Sequence, residues 1–501
     1  MASGRARVLM VQGTASHVGK SLLVSALCRW FADRGVAVAP FKAQNMSLNA
    51  GVTPDGAEIG RAQLLQARAA RAVPTAAMNP ILLKPETEQR SQVVVRGRAE
   101  ASRSARDYFA QRDRLWPVVV ESLEELRREY DLVIAEGAGS PAEINLRDRD
   151  IVNMAVALHA AAPVLLVGDI ERGGVFAALA GTLQLLSDAE RRLVRGIVIN
   201  KFRGDISLVE PGPAMLEART GVPTLGVVPW LPRLSLPEED ALPTEPVAGD
   251  DAVLDIAVVA VPHLSNFDDF DPLRHRPGVR LRFEREARCF GQPDLVILPG
   301  SKTTVDDLRW LRENGFADQI RAHRAAGRPV LGVCGGFQML GRAIHDPCAV
   351  ESSAATTEGL ALLDHVTDFH PVKHTRVVGA TIAVGEGPFG SLYGLQASGY
   401  ELRMGRSTRP GIPFARVADN GVEYPDGGVD AEGLVLGTYL HGLLHSPPVR
   451  EALLASVARI SGRTLPPAGP ERTLDSAIDR WTAHIAQHVD LERVARWVEL
   501  G

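Results

Sequence analysis

The sequence predicts an α/β protein of two doubly wound domains, each a parallel sheet with helices on both faces, ending in a helical tail. Three observations predict it. Short apolar runs alternate with segments of helical period, first through residues 7–230 and again from about 253. The runs are continuously apolar rather than alternating, as strands buried on both faces require. The chain has 501 residues, too many for one hydrophobic core.

The elements follow in order. RVLMVQG (7–13) reads as a buried strand, and SLLVSALCRWFADRG (21–35) as a helix with apolar residues at helical spacing and Gly35 as its stop. VAVAPFK (36–42), DLVIAEGAG (131–139), APVLLVGDI (162–170), VRGIVINKF (194–202) and TLGVVPW (224–230) read as further strands. This places a first domain at 1–231. Residues 232–252 are rich in proline and acidic side chains without a sustained period, the texture of a linker. Strand-like runs resume with DIAVVAVP (255–262), DLVILPGS (294–301) and RPVLGVCGG (328–336), giving a second domain at 253–447. A helical extension at 448–501 closes the chain with an amphipathic segment near LERVARWVEL. No repeat of solenoid period occurs.

Composition narrows the class. Lysine plus arginine number 55 against 60 acidic residues, which gives no support to a nucleic-acid or membrane-surface partner. No stretch approaches the ~20 apolar residues of a spanning helix, and VLMV near the start is too short for a signal peptide. Cys28, Cys289, Cys334 and Cys348 show no paired metal spacing, so a reducing cytoplasm is the expected compartment.

Two motifs carry chemistry. Gly13-Thr-Ala-Ser-His-Val-Gly19-Lys20-Ser21 lies between a strand and a helix. In that setting small residues let backbone N–H groups face phosphates, and the helix N-terminus adds positive potential. The spacing is one residue longer than G-x-x-x-x-G-K-[ST], because Thr14 stands where glycine is usual. Lys20 is expected to reach the β and γ phosphates and Ser21 to hold Mg²⁺. Lys42, ending the second strand, would meet the γ phosphate or a substrate carboxylate. Glu136 sits where an acidic metal ligand is expected. Asp55 is a further metal candidate, with an ordinary structural role as the competing reading. Asn200 would read an adenine edge or serve as a turn residue.

The second motif is GVCGG. It sets Cys334 between a strand and a helix, with Gly332, Gly335 and Gly336 permitting the sharp turn of a nucleophile elbow. A helix N-terminus favours the thiolate. The Gly335 N–H is one expected oxyanion donor, and the loop near Gly300 and Ser301 is expected to supply the other. His441, at a strand end in GTYLHGLLH, is the expected base and His445 its competitor. Cys28, Cys289 and Cys348 lack such a setting and read as structural.

The G-x-C-x-G elbow with a downstream histidine resembles the class I glutamine amidotransferases, a flavodoxin-like fold. That resemblance implies thiolate attack on the glutamine amide and release of ammonia. Members with H-P-E use the glutamate to orient the histidine. Here Gly442 and Leu443 follow His441, so the resemblance implies either a Cys-His dyad or an acid from elsewhere. The N-terminal half resembles dethiobiotin synthetase, a P-loop NTPase-like ATP domain with a longer loop and E-G-A-G at a strand end. The two in this order resemble the cobyrinic acid amidating enzymes of cobalamin biosynthesis. FKAQNMSLN (41–49), DGAEIGRAQ (55–63), MNPILLKP (78–85), INKFRGD (199–205) and GYELRMG (399–405) are similar to the cobyric acid synthase branch.

The resemblance implies ATP, Mg²⁺, glutamine and adenosylcobyrinic acid a,c-diamide as reactants, with amidation at the b, d, e and g side chains. Arg61, Arg90, Arg96 and Arg98 are candidates for binding a polycarboxylate, against the plainer reading of a solvated arginine-rich face. The competing functions are a,c-diamide synthesis, and a nucleotide-switched scaffold with an inactive amidotransferase domain. Oligomeric state is left open, a homo-oligomer included.

Overall fold

The computed structural model describes residues 5–498, except 88, 233, 235, 238–251, 409–410, 420 and 470–472. The proposed linker at 232–252 falls largely outside the described residues. The chain forms two compact units. One comprises residues 1–47, 58–240 and 472–501, and the other 48–57 and 241–471.

The first unit is built on a six-stranded parallel sheet in the order Thr224–Pro229, Val194–Phe202, Val164–Asp169, Arg7–Gly13, Leu132–Glu136, Val38–Phe41. Its first strand shows why the apolar runs are continuous. Val8 and Met10 enter the core on one face, while Leu9 and Val11 enter that on the other. The order reverses at Arg7–Gly13, the switch point where ligands bind in open α/β sheets. A mixed four-stranded sheet of Gln44–Met46, Ile81–Thr87, Arg90–Val95 and Arg98–Ser104 stands apart from the central one. Of its strands, Gln44–Met46 and the start of Ile81–Thr87 fall in the strings marked by resemblance.

The second unit has a six-stranded sheet in the order Val279–Glu284, Leu254–Val259, Leu295–Leu298, Val330–Val333, Val435–Thr438, Gly428–Val429. It is parallel except for the last pair. A second, largely antiparallel sheet is built around the long strands Val366–Ile382 and Gln396–Ser407.

The helical tail does not form one extension at 448–501. Helix Pro447–Ile460 buries Val449, Leu453, Leu454 and Val457 in the second unit's core. Helix Leu474–His488 instead places Ile478, Trp481 and Ile485 in the first unit's core, beside helix Lys20–Ala32. The spacing i, i+3, i+7 sets all three on one face. Trp481 Nε1 donates to the Leu22 carbonyl at 2.7 Å, and Arg29 pairs with Asp475 at 2.8 Å.

Candidate active site

In the first unit the loop after strand Arg7–Gly13 turns into helix Lys20–Ala32. Gly19 caps that helix in the left-handed region at φ 96°, which a side chain resists. A Cβ there would also lie 2.2 Å from Asn200 Nδ2. Lys20 is buried, its Nζ donating to the Ala15 carbonyl at 2.8 Å and the Gly139 carbonyl at 3.2 Å.

Glu136, at the end of its strand, organises the charge. Its Oε1 accepts from Ser21 Oγ at 2.8 Å and pairs with Lys42 Nζ at 2.9 Å. Its Oε2 accepts from Gln66 Nε2 at 2.6 Å. Burial works against the ionised carboxylate, but Lys42, Ser21 and Lys20 together hold it below its ordinary range.

Ser21, Lys20, Lys42 and Glu136 are therefore gathered as expected. Asn200 lies with them, its amide donating to the Val18 carbonyl at 2.9 Å and bracing the loop from strand Val194–Phe202. Asp55 belongs to the second unit, where it is exposed and accepts the Thr53 hydroxyl. Gln66 carried no signal in the sequence, because only the packing of helix Arg61–Ala69 aims it at Glu136. Among the arginines, Arg96 pairs with Glu125 at 2.6 Å and Arg90 donates to the Ser102 carbonyl.

In the second unit Cys334 sits at the junction of strand Val330–Val333 and helix Gly335–Leu340. Its φ of 51° and ψ of −107° are strained for a residue with a side chain, as a nucleophile elbow demands. The glycines around it are needed for close approach. A Cβ on Gly336 would lie 2.0 Å from the Leu298 carbonyl oxygen, one on Gly332 2.5 Å from Leu340, and one on Gly335 2.8 Å from the Ser301 amide nitrogen. The expected oxyanion donors at Gly335 and the Gly300 loop are thus side by side. The thiol contacts the Leu402 carbonyl at 3.6 Å.

His441 is buried, with the Cys334 sulfur near enough to act on its charge. Its Nδ1 is 2.7 Å from Asp269 Oδ2, and Asp269 Oδ1 accepts from the Gly442 N–H at 2.8 Å. Burial acts to lower the His441 pKa, yet the Asp269 carboxylate and the Cys334 sulfur outweigh it and push it up to about 10. Burial also acts against an ionised Asp269, and His441 overrides it, holding the carboxyl below its ordinary range. The competitor His445 faces the Asp268 carbonyl instead, at 3.0 Å.

The acid was missing from the sequence reading because it lies 172 residues before the histidine. The available signal was the acidic run in NFDDFD directly after a buried strand. Cys28 is buried, as a structural cysteine should be, whereas Cys289 and Cys348 are exposed and fill no core. Among the described residues no group of three or more His, Cys, Asp or Glu is arranged to hold a metal, and no helix is long and apolar enough to cross a membrane.

Residues 9–243 match the model of the CobQ/CobB/MinD/ParA nucleotide binding domain, and residues 255–449 that of the CobB/CobQ-like glutamine amidotransferase domain. The chain is 50% identical to a cobyric acid synthase of Sorangium cellulosum, over 99% of this chain and 96% of the relative. It is 46% identical to one of Moorella thermoacetica, over 98% and 97%. It is 48% identical to one of Pelotomaculum thermopropionicum, over 98% and 96%. With a nucleotide-binding and a glutamine amidotransferase domain in one chain, and such identity along nearly its whole length, this protein belongs to the cobyric acid synthase family.

Proposed function

We propose that the chain uses ATP and glutamine to amidate the b, d, e and g carboxylates of adenosylcobyrinic acid a,c-diamide, in the cytoplasm. The observation that carries the glutamine half is the strained Cys334 elbow against a histidine held by Asp269. With His441 protonated, Cys334 acts as thiolate and attacks the side-chain amide carbon of glutamine. Negative charge gathers on the amide oxygen between the Gly335 and Gly300–Ser301 backbones. His441 gives its proton to the departing nitrogen, releasing ammonia and leaving a thioester. Neutral His441 then takes a proton from water, whose oxygen displaces the sulfur to give glutamate and restore the ion pair.

In the nucleotide-binding unit a corrinoid carboxylate oxygen attacks the γ phosphorus of ATP. ADP leaves and an acyl phosphate forms. Ammonia then adds to its carbonyl carbon, phosphate departs, and the amide remains. Lys20 and the loop amides offset charge on the transferred group, and Lys42 meets it in this reading. Ser21 and Glu136 offer a hydroxyl and a carboxylate oxygen within hydrogen-bond distance of each other. That hard pair suits Mg²⁺, which takes one or two protein oxygens and completes its shell with phosphate and water. When bound, the ion neutralises phosphate charge.

The test is Cys334→Ala in the full chain, given the diamide, ATP-Mg and either glutamine or ammonia, with products counted by mass. We expect glutamine-dependent amidation to vanish and ammonia-dependent amidation to survive. Amidation from glutamine at the wild-type rate would refute the assignment of Cys334.

A further inference from the structure

The chain leaves the nucleotide-binding unit after residue 47, gives residues 48–57 to the amidotransferase unit, and returns at 58. The excursion, LNAGVTPDGA, is bound where it enters. Asn49 and Ala50 are buried, and Ala50 is fully so. The Ala50 N–H donates to Asn266 Oδ1 at 3.0 Å. The carbonyl of the same residue accepts from the Tyr400 hydroxyl at 3.2 Å. Asn49 Oδ1 accepts from the Phe267 N–H at 3.4 Å, and further along, Thr375 Oγ1 donates to the Gly56 carbonyl at 2.8 Å.

Both side chains that grip Ala50 also touch the catalytic histidine. The Tyr400 ring stacks on the His441 imidazole with centroids 5.1 Å apart and planes 16° from parallel. Tyr400 and His441 also exchange backbone hydrogen bonds, at 2.9 and 3.1 Å. Asn266 Nδ2 lies 3.4 Å from His441 Nε2, with its backbone in the left-handed region at φ 55°. The imidazole is thus held at Nδ1 by Asp269 and on one face by Tyr400, with the Asn266 carboxamide packed beside Nε2. The two latter supports both terminate on one residue's backbone, at Ala50. A buried hydroxyl and a buried carboxamide are drawn to partners, so moving Ala50 disturbs both.

We propose that Ala50 is a backbone clamp that positions His441 through Tyr400 and Asn266. Both ends of the excursion continue in sequence into the nucleotide-binding unit. Tyr400 and Asn266 are positioning residues in this scheme. The inference rests on the functional reading above in taking Cys334 and His441 as a glutaminase.

The test uses the full chain. Tyr400→Phe keeps the stacked ring and removes only the hydroxyl that reaches Ala50. Asn266→Gly keeps the left-handed backbone and removes the carboxamide. We expect each to lower kcat for glutamine hydrolysis about tenfold, with KM unchanged within about twofold, because a small misplacement of a reacting group is enough for such a loss. Ammonia-dependent amidation and the unfolding midpoint should match wild type, which excludes general misfolding. Wild-type kcat in both variants overturns the proposal. A wild-type chain that hydrolyses no glutamine in any state sinks the functional reading instead.

Discussion

His441 shows how one side chain is tuned by its neighbours. Its protonated form is favoured by Asp269 and Cys334 against the pull of burial. A folded-state value of about 10 against an ordinary 6.5 has a definite sign. The protonated histidine stabilises the fold fully below the ordinary value, and that contribution fades as pH rises through the folded one. Asp269→Asn removes the opposing charge and the acceptor that fixes the Nδ1 proton. We expect glutaminase kcat to fall by roughly two to four orders of magnitude, as when an orienting aspartate is lost elsewhere. We also expect the alkaline limb of kcat/KM against pH to move down by about a unit or more. An unchanged limb would show that Asp269 does not set the histidine's charge.

At the scale of elements, the informative piece is the last long helix. Its apolar face was legible, because Ile478, Trp481 and Ile485 fall at helical spacing. Its address was not, because nothing in an amphipathic helix names the surface that will cover it. It closes the core behind the phosphate-loop helix, some 450 residues earlier in the chain. Trp481→Ala should therefore destabilise the nucleotide-binding unit by about 3–5 kcal/mol, from lost burial and cavity formation. Urea unfolding followed by circular dichroism would show one transition moved and the other in place. Trp481→Phe, which keeps most of the volume and loses the bond to the Leu22 carbonyl, should cost only about 1 kcal/mol. The accessory sheet at 44–104 makes the complementary point. Its strands are short or polar, with little period to read, and their pairing is decided by neighbours.

For the whole molecule, two chemistries in one chain imply that each can be silenced separately. Removing divalent cations with a chelator should abolish amidation from either nitrogen source, since phosphoryl transfer needs its charge neutralised. Basal glutamine hydrolysis should persist, because no metal takes part in thioester formation. Parallel assays of glutamate release and of amidated corrinoid would check this. Loss of both activities on chelation would mean that the glutaminase needs more than Cys334, His441 and Asp269.

The local order of residues determined the two parallel sheets, the phosphate loop and the nucleophile elbow. Each is written in contiguous stretches whose period, glycines and flanking strand and helix specify the backbone within a few residues. Tertiary structure decided what is assembled across distance. It set Asp269 on His441, Gln66 on Glu136, Asn200 on the loop, and the tail helix behind the first sheet. The physical reason is common to all four. A hydrogen bond or an apolar contact between residues far apart in sequence leaves no periodic trace in either segment, so only the folded chain reveals the pair.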